Sequence, residues 1–448
     1  MSSPLRIVVI GGDAAGMSAA SRARKYAADS TVVVYEAGGH VSYSACGMPF
    51  YLGGEVREFD DLIHYPVSKF VEERRINVQL HSRVTAIDVS AKTVTVEKEG
   101  EVFQDHYDRL IIASGARPNV PEIFREKANV YTLRHIDDLL PLEEAMSNVQ
   151  SVSIIGAGYI GVEMAEALTK MGKDVTVIQR SDRLLRGIDE DFHALITREL
   201  ETNKVKLLLN SPVSDIRVEN DRIVSIKAGN SDITTDAVFL ATGVSPNSEF
   251  ASQAGIKTGI AGAIMVNDRM QTSAPMVFAA GDVATTRNLV TGKDTYFPLA
   301  TGSNKGGRVA GENAAGKRTL YSGIVGTEVV KVFSLEVGRT GLTEQEAKQN
   351  RFRPVSAVIT STSRSSYYPG AASLKIKLTA DENTHRLLGG ILVGKEGVAK
   401  RLDVLATALY ARLRIEDLTR IDYSYSPPFA PSWEPLGVAA DVLLGKLS

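Results

Sequence analysis

Two strand–glycine turn–helix–strand units constrain this chain more than any other feature. Their turns open at Gly11 and Gly156, 145 residues apart. The first unit reads as an apolar strand over 5–10, a small-residue helix over 14–26 and a second apolar strand over 31–35 that ends at Glu36. The second repeats the plan: strand 151–155, turn GAGYIG, helix 162–171 and strand 174–178. A strand, a crossover helix and a second strand in this order build a parallel sheet. Two such units predict an α/β chain of several domains, and the 448 residues argue for about two to four.

Both turns carry dinucleotide spacing. In Gly11-Gly12-Asp13-Ala14-Ala15-Gly16, Gly11 makes the tight turn and Gly16 lets the helix approach the strand. Asp13 stands where a glycine normally admits the pyrophosphate. The helix N-terminus still presents free N–H groups and a positive dipole end to phosphate. Glu36 follows at the distance expected of a ribose-binding acid. The second turn is intact: Gly156, Gly158, Tyr159, Ile160 and Gly161. After its strand, Gln179 replaces the acid that suits NAD, and Arg180 follows, which favours the ribose phosphate of NADPH.

Between and beyond the units, β-rich alternation runs over 84–96, and a proline-rich ordered loop, YSYSPPFAPSWEP, precedes the C-terminus. The segments 329–343 and 373–394 read as strands of a mixed α+β domain, with a helix near 399–412. Boundaries are expected near residues 118, 245 and 325.

Hydrophobic residues make up 44% of the chain and charged residues 23%, as in globular proteins. A net charge of −2 leaves no basic field for nucleic acid. No apolar run approaches the roughly 20 residues that cross a bilayer. The opening MSSPLRIVVIGGDAAG lacks a charged leader and a cleavage site, so a retained N-terminus and a cytoplasmic location are expected. With a single cysteine, Cys46, an internal disulfide and a cysteine cluster for a metal are both excluded. Cys46 lies ten residues after Glu36 in SYSACGMPFYLGG, a segment that returns toward the first nucleotide site. A position at a helix start beside an oxidised flavin would favour its thiolate.

Further motifs support FAD at the first site. ASGARP (Ala113, Ser114, Gly115) and ATGVSPN (Gly243) resemble the domain crossovers of two-dinucleotide flavoproteins. TSAPMVFAAGD, with Gly281 and Asp282, resembles their second FAD signature. With Ser42, Cys46, Gly47 and Pro49, the opening GGDAAGMSAA and the run GKEGVAKRLDV, the whole chain resembles the single-cysteine pyridine nucleotide–disulfide oxidoreductases, and within them the coenzyme A disulfide reductases.

The resemblance implies two Rossmann-like domains of glutathione-reductase type and a C-terminal α+β dimerisation domain. FAD would occupy 1–118 and 246–325, with Ala300 and Thr301 among its contacts; NAD(P)H would occupy 119–245, and 326–448 would dimerise. It implies a homodimer whose Tyr367 and Tyr425 act in trans as proton donors, and coenzyme A contacts at Ser18, Arg22, Lys25, Ser42 and Arg74. Dithiol relatives carry a second cysteine where this chain has Tyr51, so Cys46 would pair with an external thiol. The absence of a histidine in the first turn argues against peroxide reduction and more weakly against oxidase activity. The ending LLGKLS argues against a rhodanese fusion. The implied activity is NAD(P)H-dependent reduction of coenzyme A disulfide through a Cys46 mixed disulfide. The alternatives are an NAD(P)H oxidase, a polysulfide or persulfide reductase, or a flavin-bound redox sensor.

Overall fold

The structure, a computed structural model, describes residues 4–447; the first three residues, to which the retained N-terminus refers, lie outside that range. β1 (Arg6–Ile10) pairs in parallel with β2 (Thr31–Tyr35), and α1 (Ala14–Tyr26) crosses between them. Four residues of each strand are buried and most are β-branched, as a strand covered on both faces requires. The sheet continues through Asn77–Gln79 on one side and through Arg109–Ile112 and Val277–Ala279 on the other. Its last strand arrives from beyond the second unit.

The second unit builds a separate five-stranded parallel sheet. β3 (Ser151–Ile155) lies beside β4 (Asp174–Ile178), and α2 (Tyr159–Lys170) connects them. That helix begins at Tyr159 rather than 162, because the residues after the glycine turn enter helical geometry at once. The two connections between the sheets, Ala116–Pro118 and Val244–Pro246, pair with each other as antiparallel strands. A three-stranded antiparallel ribbon flanks each parallel sheet, the first over residues 82–106 and the second over 213–234.

The C-terminal part is a five-stranded antiparallel sheet with Leu335–Gly341 and Leu387–Gly394 at its interior. The helices Val398–Tyr410 and Pro435–Leu447 pack on it, and their Leu402, Leu405, Leu436 and Leu443 are fully or almost fully buried. The proline-rich stretch before the last helix forms neither helix nor strand. No helix among the described residues is long and apolar enough to cross a membrane.

An ionic cluster joins the three parts. Glu166 of α2 is 5% exposed. It accepts bonds from Lys170 (2.7 Å), from Lys331 of the C-terminal sheet and from the backbone N–H of Phe333 (2.6 Å). Lys170 also meets Glu55, just past the helix that follows Cys46.

Candidate active site

A continuous cleft of about 2170 Å³ runs between the two parallel sheets and the C-terminal part, and both glycine turns open into it. Each turn folds back so tightly that a side chain is excluded. A Cβ on Gly11 would lie 2.2 Å from the Ala113 carbonyl oxygen, and one on Gly156 2.4 Å from that of Ala241. A Cβ on Gly158 would meet nothing within 4 Å, and its φ of −77° suits any residue. Neither packing nor backbone geometry demands this glycine, so its missing side chain leaves room for something entering the cleft. That observation fits a dinucleotide on the second turn.

At the first turn, the side chain of Asp13 does not cap α1. Its Oδ1 accepts the backbone N–H of Tyr43 at 3.3 Å. Burial raises its pKa to about 6. Turned this way, the carboxyl leaves the helix N–H groups facing the cleft. Glu36 accepts from Gly12 N (2.6 Å) and Gly38 N (2.7 Å), which fixes its carboxylate beside the turn. Two backbone bonds leave free lone pairs for ribose hydroxyls. Gly11, Gly12, Asp13, Ala14, Ala15, Glu36, Ala113, Ser114, Gly115, Gly281, Asp282, Ala300 and Thr301 all line the same cleft, so the expected FAD residues converge from five separate stretches of chain. Gly16 lies behind them, where a Cβ would meet the Gly11 oxygen at 1.9 Å; Gly161 has the same place behind the second turn, 2.1 Å from the Gly156 oxygen.

Sequence reasoning missed the group at the centre of this arrangement. Arg134 forms a 2.7 Å ion pair with Asp282 and donates to the Ala116 carbonyl at 2.9 Å. Asp282 also accepts from Ser303 Oγ at 3.0 Å. Arg134 lies on a connecting segment with no motif around it, and its partner is 148 residues away. No local signal could have found it.

Cys46 sits in the turn Ala45–Gly47, directly before the short helix Met48–Leu52, and opens into the cleft. The segment leading to it is tied to the first glycine turn. Ser42, at φ 54°, donates its N–H to the Gly12 carbonyl at 3.0 Å, and Tyr43 binds Asp13. Ser44 Oγ lies 2.9 Å from His64 Nε2. Cys46 stands at a helix start, as expected, among charges of both signs. Burial pushes the Cys46 thiol up, the charges of Glu163, Asp282 and Asp13 push the same way, and only Arg134 opposes them. Burial first, and then three carboxyls set against one cation, act against the thiolate. Glu163, also missed, is one helical turn past Tyr159 on α2 and faces the cleft. Burial and the Glu166 charge raise its pKa to about 7.

In the second unit, Gly158, Tyr159, Ile160 and Gly243 line the cleft. Gln179 is not free to meet a ribose. Its amide donates to Ser181 Oγ and the Arg183 carbonyl, both at 3.0 Å. Arg180 is exposed and outside the cleft lining, whereas Arg186 lies on it.

Ser18, Arg22, Lys25, Ser42 and Arg74 all line the cleft. Arg22 pairs with Glu312 at 3.5 Å, and Ser18 Oγ donates to Asn304 at 2.8 Å. Arg74 donates to Ser21 and lies 5.2 Å from the Tyr65 ring. Tyr367 and Tyr425 are not part of this chain's own cleft. They are 75% and 53% exposed, and Phe429 and Trp433 of the same surface are 78% and 77% exposed. The Tyr425 hydroxyl is pushed up by its neighbour Tyr367.

Residues 5–307 match the profile of the pyridine nucleotide-disulphide oxidoreductases, and residues 327–435 match that of their dimerisation domain. The chain is 41% identical over 442 residues to the NAD(P)H sulfur oxidoreductase (CoA-dependent) of Pyrococcus abyssi, covering 98% of both chains. It is 31% identical to the coenzyme A disulfide reductase of Staphylococcus aureus, covering 95% of this chain and 96% of that one. Among solved structures, a water-forming NADPH oxidase engineered from the Lactobacillus brevis NADH oxidase and bound to NADPH is 30% identical, with a TM-score of 0.95 and 99% of both chains covered.

Proposed function

This chain belongs to the pyridine nucleotide-disulphide oxidoreductase family, and from that premise we propose that it is an NADPH-dependent flavoenzyme that reduces coenzyme A disulfide through Cys46. The observation that carries this is the position of the only cysteine, on the wall of a cleft that both glycine turns enter.

The FAD-holding parts are the 11–16 turn for the diphosphate, Glu36 for the adenosine ribose, and Asp282, held by Arg134, for the flavin side. The 156–161 turn holds the nicotinamide cofactor. Domains at 1–118 with 246–325, at 119–245 and at 326–448 divide these tasks. The chemistry that FAD supplies when bound is two-electron transfer between nicotinamide and sulfur.

The chain's own residues do the rest. Ser42 and Tyr43, tied to Gly12 and Asp13, fix the approach of Cys46 to the turn. Cys46, as thiolate, attacks one sulfur of the disulfide. A Cys46–coenzyme A disulfide forms and a coenzyme A thiolate leaves. Tyr425 and Tyr367 of a second copy protonate it; their exposure in one protomer and the dimerisation domain favour this assignment. The two electrons of NADPH then release the second coenzyme A and restore Cys46. Arg22, Lys25 and Arg74 meet the coenzyme A phosphates, with Ser18 and Ser42 along the chain.

NADPH is favoured over NADH. In the engineered oxidase, the substitutions remove one acid, place an arginine and a serine directly after it, and add a second arginine seven positions beyond it. Here Arg180, Ser181 and Arg186 stand at the same spacing after Gln179, which is neutral like the alanine that replaces the acid there. Arg180 and Arg186 are therefore assigned to the 2′-phosphate.

A second reading follows from the 41% relative and from a 40% identical coenzyme A polysulfide/persulfide reductase of Pyrococcus horikoshii: coenzyme A-dependent reduction of sulfur or polysulfide. Steady-state oxidation of NADPH with coenzyme A disulfide, polysulfide or oxygen as sole acceptor tests both. Highest kcat/KM on coenzyme A disulfide, abolished by Cys46→Ser while NADPH still bleaches the flavin, is expected. Turnover that survives Cys46→Ser would refute the role of the thiol.

A further inference from the structure

We infer that the C-terminal part helps set the preference for NADPH: Arg339 and Lys377 hold the loop over 180–189 in place, and that loop carries Arg180 and Arg186. This rests on the assignment of those two arginines to the 2′-phosphate. Arg339 and Lys377 are positioning residues, because each acts through the loop.

The loop follows β4 and ends at the helix Glu190–Thr202, and no helix or strand forms within it. Exposed arginines at 180, 183 and 186 flank Leu184 and Leu185, which are fully buried. The buried pair ties the loop to its own unit. Leu185 donates its N–H to the Ala157 carbonyl of the second glycine turn at 2.8 Å. Where the loop turns outward again, contacts from the C-terminal part hold the stretch on either side of Arg186.

Before Arg186, Arg183 Nη1 donates to Gln345 Oε1 at 3.1 Å. Directly after it, Gly187 has a φ of 87°, a backbone state that suits glycine. The Arg339 guanidinium fills the space a side chain would need there: a Cβ on Gly187 would lie 1.6 Å from Nη1. Arg339 is buried and is itself fixed, by Glu346 at 3.0 Å and by the Gly341 carbonyl at 3.1 Å. Gln345 and Glu346 stand on one helix, Glu344–Gln349. Two residues beyond Gly187, Asp189 occupies the N-cap position of the next helix, yet its side chain makes no cap bond. It pairs instead with Lys377 at 2.8 Å, and Lys377 also pairs with Asp191 at 2.8 Å. Lys377 is buried on the strand Ser373–Asp381 of the C-terminal sheet. A buried cation facing two acids of one short segment is a strong local tether.

The consequence falls on one cofactor. Arg186 lines the cleft, and the direction in which it leaves the chain is set by Gly187 beside it. An arginine whose backbone is fixed beforehand binds phosphate without the entropy cost of ordering the loop. NADH has no 2′-phosphate, so its binding draws little on this stretch.

The test is flavin bleaching by NADPH and by NADH in the purified flavin-loaded protein, which needs no disulfide. In Arg339→Met the half-saturating NADPH concentration should rise about fivefold, as when the fraction of protein with the loop in place falls to about one fifth. The value for NADH should stay within about twofold, and the limiting bleaching rate should not change. Lys377→Met carries the same expectation, so a folding failure in one variant leaves the other to decide. Added to the pair Arg180→Ala and Arg186→Ala, Arg339→Met should raise the NADPH value no further, because the arginines it positions are gone. Trypsin gives a reading without turnover: cleavage after Arg183 or Arg186 should be at least about fivefold faster in Arg339→Met than in the unmutated protein. Equal rises for NADPH and NADH would make Arg339 and Lys377 general supports of the fold. Additive costs in the triple variant would make Arg339 a direct cofactor contact. Either result, or an unchanged cleavage rate, would overturn the inference. NADPH use that survives the Arg180→Ala and Arg186→Ala pair would instead overturn the phosphate assignment itself, and the inference with it.

Discussion

Replacing Asp13 with Asn removes a charge from the first glycine turn and keeps the oxygen that accepts the Tyr43 N–H. Burial raises this carboxyl from 3.8 to about 6, with the Glu36 charge adding. The sign follows from proton counting. Between pH 4 and 6 the folded state binds more protons at Asp13 than the unfolded state, so stability falls as pH rises through that window. The penalty is complete above about pH 6 and corresponds to about 3 kcal/mol, of which about 1.5 kcal/mol is already present at pH 5. Asp13→Asn should therefore be more stable than the parent by up to about 3 kcal/mol at pH 8, by about half that at pH 5, and by little at pH 4. For a unit of this size the gain at pH 8 amounts to several degrees in Tm. Melting followed by the fluorescence of released flavin reads the same part of the fold. A diphosphate seated on this turn adds a like charge, so flavin retention at pH 8 should improve as well. Parent and variant melting in parallel from pH 4 to 8 would show that Asp13 pays no desolvation cost, and the account of this turn would fail.

Other perturbations have equally definite outcomes. Glu166→Ala should cost about 2–3 kcal/mol in urea unfolding, since it strands the Phe333 N–H and frees two lysines. Burial opposes ionisation of Glu166, but the bonds from Lys170, Lys331 and Phe333 outweigh it and hold the carboxyl below its usual range. Its contribution is thus present above about pH 4.5 and lost as pH falls through the lowered pKa; an acid-melting series comparing parent and variant should show this. Arg134→Met should leave the half-buried Asp282 without its cation and lower flavin content, measured by absorbance after gel filtration. The double change Arg180→Ala and Arg186→Ala should raise KM for NADPH by about tenfold or more with little change for NADH, in line with the loss of charge-assisted phosphate contacts. Tyr425→Phe should lower kcat for disulfide and leave flavin bleaching by NADPH intact.

Much of the fold was legible because the informative residues are close in sequence. The glycines at 11, 16, 156 and 161 fix each turn within one short stretch, and the buried runs RIVVI and SVSII announce parallel strands. Cys46 was legible because it is the only sulfur nucleophile and follows Glu36 closely. Groups that act across long separations were not. Arg134 reaches Asp282 from a segment without a motif, and the Cys46 thiol is pushed up by burial together with the charges of residues 163, 282 and 13. One weak signal existed for Glu163: α2 carries two acids, Glu163 and Glu166, among Val162, Met164, Ala165, Ala167 and Leu168, all buried. An acid on an apolar helix face needs either a partner or a task. The Gln179 amide could be read as a missing acid, but not as the clamp on Ser181 and Arg183 that the structure shows.

The reach of the lone sulfur toward substrate is best read by mass. Protein purified without reductant and exposed to coenzyme A disulfide should gain one coenzyme A on the peptide containing Cys46, and NADPH should remove it and release free thiol. A protein that gains no adduct there, or keeps it in the presence of NADPH, would contradict disulfide reduction through this residue.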